Sequence, residues 1–456
     1  MQIGRRAFHS QPMRASVLRL AIPALLLATV ISACQTSMRS GPVASPSSSM
    51  GPAPQLPAPD KDLLPTVQVA VAKGWSAGAH PLPAPGLAVA AFATGLSHPR
   101  WLYVLPNGDV LVAETNAPDR PEEGKGIKGK VMKAVQRKAG AGVASANRIT
   151  LLRDADGDGR AETARVFVAQ LNSPFGMALV DSHLYVANTD AVMVFSYRAG
   201  ETSLSGPPTR LTSLPGGALN HHWTKNIIAA RDGQHLYATV GSNSNVGENG
   251  LAREEGRAAI WQIDLPSGEK RLYATGLRNP NGMAWEPSTG ELWTVANERD
   301  ELGDDLVPDY LTAVREGAFY GWPFSYYGQH VDGRVRPANP ALTAKAIPPD
   351  YALGAHVAAL GLAAAGDTAL PLMYRSGMFV GEHGSWNRKP AVGYKVVFVP
   401  FAQGKPAGLP IDVLTNFVSE TGEAHGRPVG VAIARDGALL VADDVGNTVW
   451  RVTATH

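Results

Sequence analysis

The sequence predicts an all-β chain folded as a six-bladed β-propeller of four-stranded antiparallel blades, with loop and short helical insertions between strands. Two observations carry this. Six related segments recur at spacings of roughly 35 to 85 residues. Most read as an apolar strand, a turn such as Pro-Asn-Gly or Arg-Asp-Gly, and a second alternating strand, which is a hairpin signal. A β-sandwich is the structural alternative, but it gives no reason for the repetition. The 48 Gly and 35 Pro agree with many short strands and stop short of a disordered composition.

The six segments are GLSHPRWLYVLPNGDVLVAET (95–115), NSPFGMALVDSHLYVANTDAVMVFSY (172–197), NIIAARDGQHLYATVGS (226–242), GLRNPNGMAWEPSTGELWTVANE (276–298), GLAAAGDTALPLMYRSGMFVGEHGS (361–385) and GRPVGVAIARDGALLVADDVGNTVWRV (426–452). A third strand often follows, as in AAIWQIDL (258–265), GYKVVFVPF (393–401) and NTVWRV (447–452). Leu306 to Glu316 reads as a helix inserted between strands. The basic, irregular stretch 120–149 reads as a solvated loop.

The chain divides into an export signal (1–33), a Pro/Ser-rich tether (34–66) and the propeller (67–456). Arg5, Arg6, Arg14 and Arg19 precede an apolar run from Leu20 to Val30. Ile31-Ser32-Ala33-Cys34 then resembles a bacterial lipobox, which implies lipidation of Cys34 and a periplasmic, lipid-anchored domain. Gln35, in place of Asp, resembles lipoproteins of the outer membrane. Met13 offers a second start, and Gly4-Arg5-Arg6-Ala7-Phe8 weakly resembles a twin-arginine signal. The tether composition predicts an extended, poorly ordered segment. No later stretch has about 18 uninterrupted apolar residues, so the anchor is the expected membrane contact.

Composition narrows the function. With 45% hydrophobic residues, the 456-residue chain can bury a large core. A formal net charge of +2 gives no electrostatic case for nucleic acid. Cys34 is the single cysteine, which excludes a disulfide framework, a Cys-based metal site and a two-cysteine haem motif. Gly-x-Ser-x-Gly, His-Glu-x-x-His and Walker patterns are absent.

A propeller gathers loops at one end of its axis, so candidate residues lie just before each first strand or just after each second strand. His221 and His222 stand before the third repeat, and His222 suits a general base at neutral pH. Arg278-Asn279 stand before the fourth, and arginine binds planar anions bidentately. Asn172, His356, Glu382-His383, Trp386, Arg388, Lys389 and Arg427 occupy equivalent ends and suit an anionic ligand. The acidic loop Asn297 to Asp305, with Glu298, Arg299 and Asp300, has the oxygen density for Ca²⁺. Asp154, Asp156 and Asp158 match the opening of an EF-hand-type loop, although Arg165 stands at the twelfth position.

These motifs resemble the soluble-type sugar dehydrogenases that use pyrroloquinoline quinone (PQQ), and within them the sorbosone dehydrogenase-like branch. The resemblance rests on NHHWTKNI (220–227), GLRNPNGMAW (276–285), NERDELGDDL (297–306), EGAFYGWP (316–323), GEHGSWNR (381–388) and GRPVGVA (426–432), and covers residues 87–453. It implies oxidation of a sugar or sugar aldehyde by hydride transfer to the quinone, with His222 as base. It places Arg278 beside the reacting carbonyl and Asn279 on the cofactor. Asn172, Arg388, Lys389 and Arg427 fall where the cofactor is held. Glu298–Asp300 match the loop that binds a calcium touching PQQ, and a quinone or cytochrome is the implied electron acceptor. Two positions depart: where glucose-oxidising relatives carry aspartates, this chain has His221 and Ser242. Two other readings stand beside this one: a metal-dependent lactonase-like propeller hydrolase and a non-catalytic carbohydrate-binding propeller.

Overall fold

The computed structural model describes residues 46–60, 66–119 and 137–455. The export signal, Cys34 and the stretch 120–136 lie outside the described residues.

Six four-stranded antiparallel sheets form six blades, each built around one of the repeats. The first is Pro99–Val104, Val110–Glu114, Arg148–Arg153 and Thr163–Val168; the second is Met177–Val180, His183–Ala187, Ala191–Ser196 and Thr209–Ser213. The third is Ile227–Ala229, His235–Val240, Ala259–Asp264 and Lys270–Thr275; the fourth is Asn279–Trp285, Leu292–Asn297, Pro308–Ala313 and Tyr351–Ala355. The fifth is Ala359–Ala364, Gly377–Glu382, Lys395–Ala402 and Ile411–Thr415, with Leu82–Pro83 added at its outer edge. The sixth takes Pro428–Ile433, Leu439–Asp443 and Thr448–Ala454 from the C-terminal end and Leu87–Ala93 from the N-terminal end. That shared blade closes the ring, so no terminal blade is left with an uncovered face.

The innermost strands pack around the axis. Trp101, Phe175, Trp223, Leu360 and Val429 come from five different blades yet belong to one buried cluster. Trp101 and Phe175 meet at 5.0 Å between ring centroids, so aromatic area fills the axis below the loops. Adjacent innermost strands approach so closely that a Cβ on Gly361 would overlap the Val429 carbonyl oxygen. This position therefore requires glycine.

Strand direction builds the functional end. First and second strands of a blade are antiparallel, so the start of one meets the end of the other. Asn279 pairs with Asn297, Pro99 with Glu114, Ala359 with Glu382 and Pro428 with Asp443. The loops that carry His222, Arg278, Glu298–Asp300, Glu382-His383 and Arg427 thus emerge at one end of the axis.

Two expectations are corrected. Residues 306–316 hold a strand, Pro308–Ala313, and not a helix. Every residue of it is buried, because its faces pack against the neighbouring blades: Tyr310 shares a cluster with Tyr237 and Ile260, and Leu311 and Ala313 share another with Val380 and Val397. Burial on both faces removes the alternation that would have marked it as a strand. A single helical turn occurs instead at Pro340–Thr343, where the Asn339 side chain accepts from Leu342 N. The second correction concerns the tether. Residues 46–60 lie on the propeller: Gly51 exchanges backbone hydrogen bonds with Ala352, both 2.9 Å, and Asp60 N donates to Leu302 O at 2.9 Å.

Candidate functional site

Ser242 joins the third blade to the fourth. Its backbone N donates to Arg278 O at 2.7 Å. Its carbonyl lies 2.9 Å from His222 Nδ1, and its Oγ lies 3.0 Å from the same nitrogen. The Ser242 hydroxyl donates to Ser244 O at 2.6 Å, so its oxygen is left to accept. Both partners of Nδ1 are therefore acceptors, which puts the ring proton on Nδ1 and leaves a lone pair on Nε2. Gly241 makes room for this ring, since a Cβ there would stand 2.5 Å from His222 Cβ. Burial, then Arg278 and His221, hold the His222 pKa well below the ordinary 6.5, so the ring is neutral at pH 7. His221 is exposed and packs edge-on against His222 with ring centroids 4.7 Å apart.

Beneath His222 lies Lys225, fully buried, whose Nζ donates to the carbonyls of His222 and Trp223 at 3.2 Å each. Desolvation lowers its pKa well below the usual 10.5, with Arg257 adding to the effect.

Arg278 is buried and nearly saturated. Nε donates to Asn245 O at 3.1 Å and Nη1 to Glu298 O at 2.6 Å. Nη2 donates to Asn245 Oδ1 at 2.9 Å and to Asp300 Oδ2 at 3.1 Å. One Nη1 hydrogen remains for a ligand. Asp300 also accepts from Asn387 Nδ2 at 2.8 Å and faces His356 Nδ1 at 3.5 Å. Burial alone would raise its pKa, but Arg278 and His356 outweigh burial and hold it at about 2. His356 anchors its other nitrogen on Gly303 O at 3.0 Å.

Sequence-predicted residues divide accordingly. His222, Arg278, Asn279, Asp300 and Asn387's neighbour Arg388 come to the same end. Arg388 pairs with Asp305 at 2.5 Å, and Lys389 is exposed, its backbone N on Asp304 at 3.2 Å. Arg427 is buried over the Tyr394 ring and donates to its hydroxyl at 2.6 Å. Asn172 is exposed, and among the described residues no hydrogen bond ties its side chain to this group. Arg299 is a correction. Its guanidinium is fully buried and bonded to Glu298, Asp332, Pro323 O and Ser325 O, so its side chain braces the loop and is no metal ligand. Asp154, Asp156 and Asp158 do gather, with Glu162, and one ligand atom from each lies within 4.8 Å of the others. Their hairpin joins the outer strands of the first blade at the opposite end from His222.

Of a second buried group, the sequence singled out His383 alone. Asp444 Oδ2 accepts from Arg100 at 2.7 Å, faces His383 Nε2 at 2.8 Å and lies 3.5 Å from His98. Burial and the neighbouring guanidinium groups overcome Asp444 and lower His383 to about 4. A repeat alignment could have exposed His98, since GLSHPRW places it where GLRNPNG places Asn279.

Several buried polar atoms at this end lack hydrogen-bond partners among the described residues: Nε of Arg100, Arg388 and Arg427, and Oδ1 of Asn279 and Asn387. Buried donors without acceptors are costly, and three guanidinium Nε–H groups at one mouth suit a planar polyanion.

Known proteins share these features. A PQQ-dependent pyranose dehydrogenase from Coprinopsis cinerea is 24% identical over 430 residues, covering 80% of this chain and 53% of the relative. The chain thus spans about half the length of that protein. The holo PQQ domain of the Coprinopsis pyranose dehydrogenase superposes with a TM-score of 0.65 at 21% identity, over 84% of this chain and 100% of that domain. The calcium structure of a Trichoderma reesei carbohydrate-active enzyme of family AA12 gives a TM-score of 0.67 at 17% identity, over 86% and 99%. At these identities the superpositions establish the fold. The sorbosone branch suggested by HGSWNR is not the one these relatives name. A profile described as TrAA12-like matches residues 81–309 and 337–455, and the chain belongs to that family.

Proposed function

We propose that the protein is a PQQ-dependent dehydrogenase that oxidises a sugar or sugar aldehyde of the aldose or sorbosone type. The observation that carries this is His222: neutral, with Nδ1 committed to Ser242 and Nε2 open, one residue's bridge away from Arg278. PQQ fits the unpartnered donors. Its carboxylates would take the Nε–H groups of Arg100, Arg388 and Arg427, and Asn279 would meet its ring system. When bound, it supplies the hydride acceptor.

The chain's own residues then have defined tasks. His222 Nε2 accepts the proton of the substrate hydroxyl. Arg278 places fixed positive charge where negative charge develops, and it needs no reorganisation because its other donors are already engaged. The axial cluster of Trp101, Phe175 and Trp223 closes the floor against water. The hydrolase alternative needs carboxylates converging on the axis. The acidic group with metal-ligand spacing among the described residues lies instead at the opposite end.

The test is a titration of the purified protein with PQQ, followed by dye reduction with a panel of aldoses and sugar aldehydes. Saturable binding and substrate-dependent reduction are expected. No spectral change on substrate addition would refute the proposal.

We also propose that Cys34 anchors the protein on the periplasmic side of a bacterial envelope and that a quinone or cytochrome takes the electrons. A Cys34→Ser variant is then expected to move from the membrane to the soluble fraction. Unchanged membrane recovery would exclude lipidation at Cys34.

A further inference from the structure

Calcium is bound by six to eight oxygens, from carboxylates, carbonyls and water. The loop after the second strand of the fourth blade is where the sequence resemblance places such an ion beside the quinone. The carbonyl oxygens of Glu298, Asp300 and Glu301 and the Asp300 carboxylate are engaged by nitrogen donors of the chain, whereas Glu298 Oε1 is buried without a hydrogen-bond partner among the described residues, one oxygen where calcium needs six to eight. Glu298 O accepts from Arg278 at 2.6 Å. Asp300 O accepts from Arg334 Nη1 at 2.9 Å and from Asn245 Nδ2 at 3.2 Å, and Glu301 O accepts from Arg334 at 3.2 Å. The Asp300 carboxylate is shared by Arg278, Asn387 and His356. Glu298 Oε2 is held by Arg299 at 3.0 Å.

Arg334 is itself fixed. Its Nε and Nη2 donate to the two oxygens of Asp332 at 2.9 and 2.8 Å, and Asp332 also takes Arg299 at 3.1 Å. Three guanidinium groups, Arg278, Arg299 and Arg334, thus face three carboxylates, Glu298, Asp300 and Asp332, and charge is balanced without a metal. A divalent ion would have to displace a clamped arginine and then stand beside two others, at a Coulombic cost that a buried site does not screen away. Asp332 and Arg334 lie in residues 310–336, the stretch between the two parts of the family match.

We infer that this loop takes no calcium: the arginines of the chain occupy the carbonyl oxygens of Glu298, Asp300 and Glu301 and share the Asp300 carboxylate, and they supply the positive charge beside the cofactor. The inference rests on the PQQ reading for its cofactor arm and stands on the hydrogen-bond geometry for its metal arm.

Both arms are measurable in the full protein, in a D154N/D156N background that removes the other acidic cluster. Calcium alone is titrated calorimetrically into the cofactor-free protein, and no site is expected. A calcium site that disappears on Asp300→Asn overturns the inference. In parallel, PQQ affinity is read from fluorescence quenching in EGTA and in excess calcium, with the two Kd values expected to agree within about twofold. A Kd at least about tenfold weaker in EGTA overturns the inference. Arg334→Ala frees two carbonyls, and in that variant calcium is expected to strengthen PQQ binding. Failure of PQQ to bind under either condition refutes the proposed function, and the calcium titration still decides the inference.

Discussion

Replacing His222 by alanine is expected to lower turnover by about 10²- to 10⁴-fold, the range for loss of a positioned general base. PQQ affinity is expected to stay within about threefold, because the unpartnered donors belong to other residues. This split between turnover and cofactor binding distinguishes a base from a structural residue. The pH profile supplies a second readout. Burial, Arg278 and His221 all depress the His222 pKa below 6.5, so the active neutral ring persists as pH falls through the ordinary histidine range. The acid limb of kcat/KM is therefore expected below pH 6.5 and absent from the His222→Ala variant. Turnover retained in the variant would remove His222 from the mechanism.

Arg299→Ala is expected to cost about 3 to 5 kcal/mol of unfolding free energy, the range for stripping one partner from a buried ion pair. The guanidinium and the Glu298 side chain are fully buried and Asp332 nearly so, so Glu298 loses its cation in a site that water cannot reach, while Asp332 keeps only Arg334. Total stabilities of natural domains are about 5 to 15 kcal/mol, so the loss is a large share. Arg299→Lys keeps the charge but cannot span Glu298, Asp332, Pro323 O and Ser325 O at once, and recovers only part of it. Chemical denaturation of the three proteins checks this. A change below about 1 kcal/mol would show that the network stabilises little. The same network carries a pH signature. Burial would raise the Asp332 pKa, but Arg334 and Arg299 outweigh it and hold it at about 2, below the usual 3.8. Its contribution is present above pH 4 and is lost as pH falls towards 2.

The propeller and its functional end were legible because both rest on local rules. Asn-Gly and Asp-Gly turns between alternating runs mark hairpins, and antiparallel pairing then places the flanking loops at one end. His222 and Arg278 were found this way. The helix expected at 306–316 failed because the strand Pro308–Ala313 is buried on both faces and shows no alternation. The docking of residues 46–60 was hidden by a composition that looks disordered. Its contacts are backbone pairs such as Gly51 with Ala352, which side-chain composition does not report.

What the sequence determined by itself was the repeat, the blade count and the chemical types available at the mouth. The tertiary structure alone decided their pairing. Ser242 seemed a lost carboxylate, yet its carbonyl and hydroxyl oxygen fix the tautomer of His222. The acidic loop seemed a cation site, yet Arg278 and Arg334 reach its oxygens from residues 20 to 34 positions away in the chain. Arg100, His98 and Asp444 meet because the last blade closes against the first, across 344 residues between Arg100 and Asp444. Hydrogen-bond partners at such separations are set by ring closure and strand direction, and no local pattern encodes them.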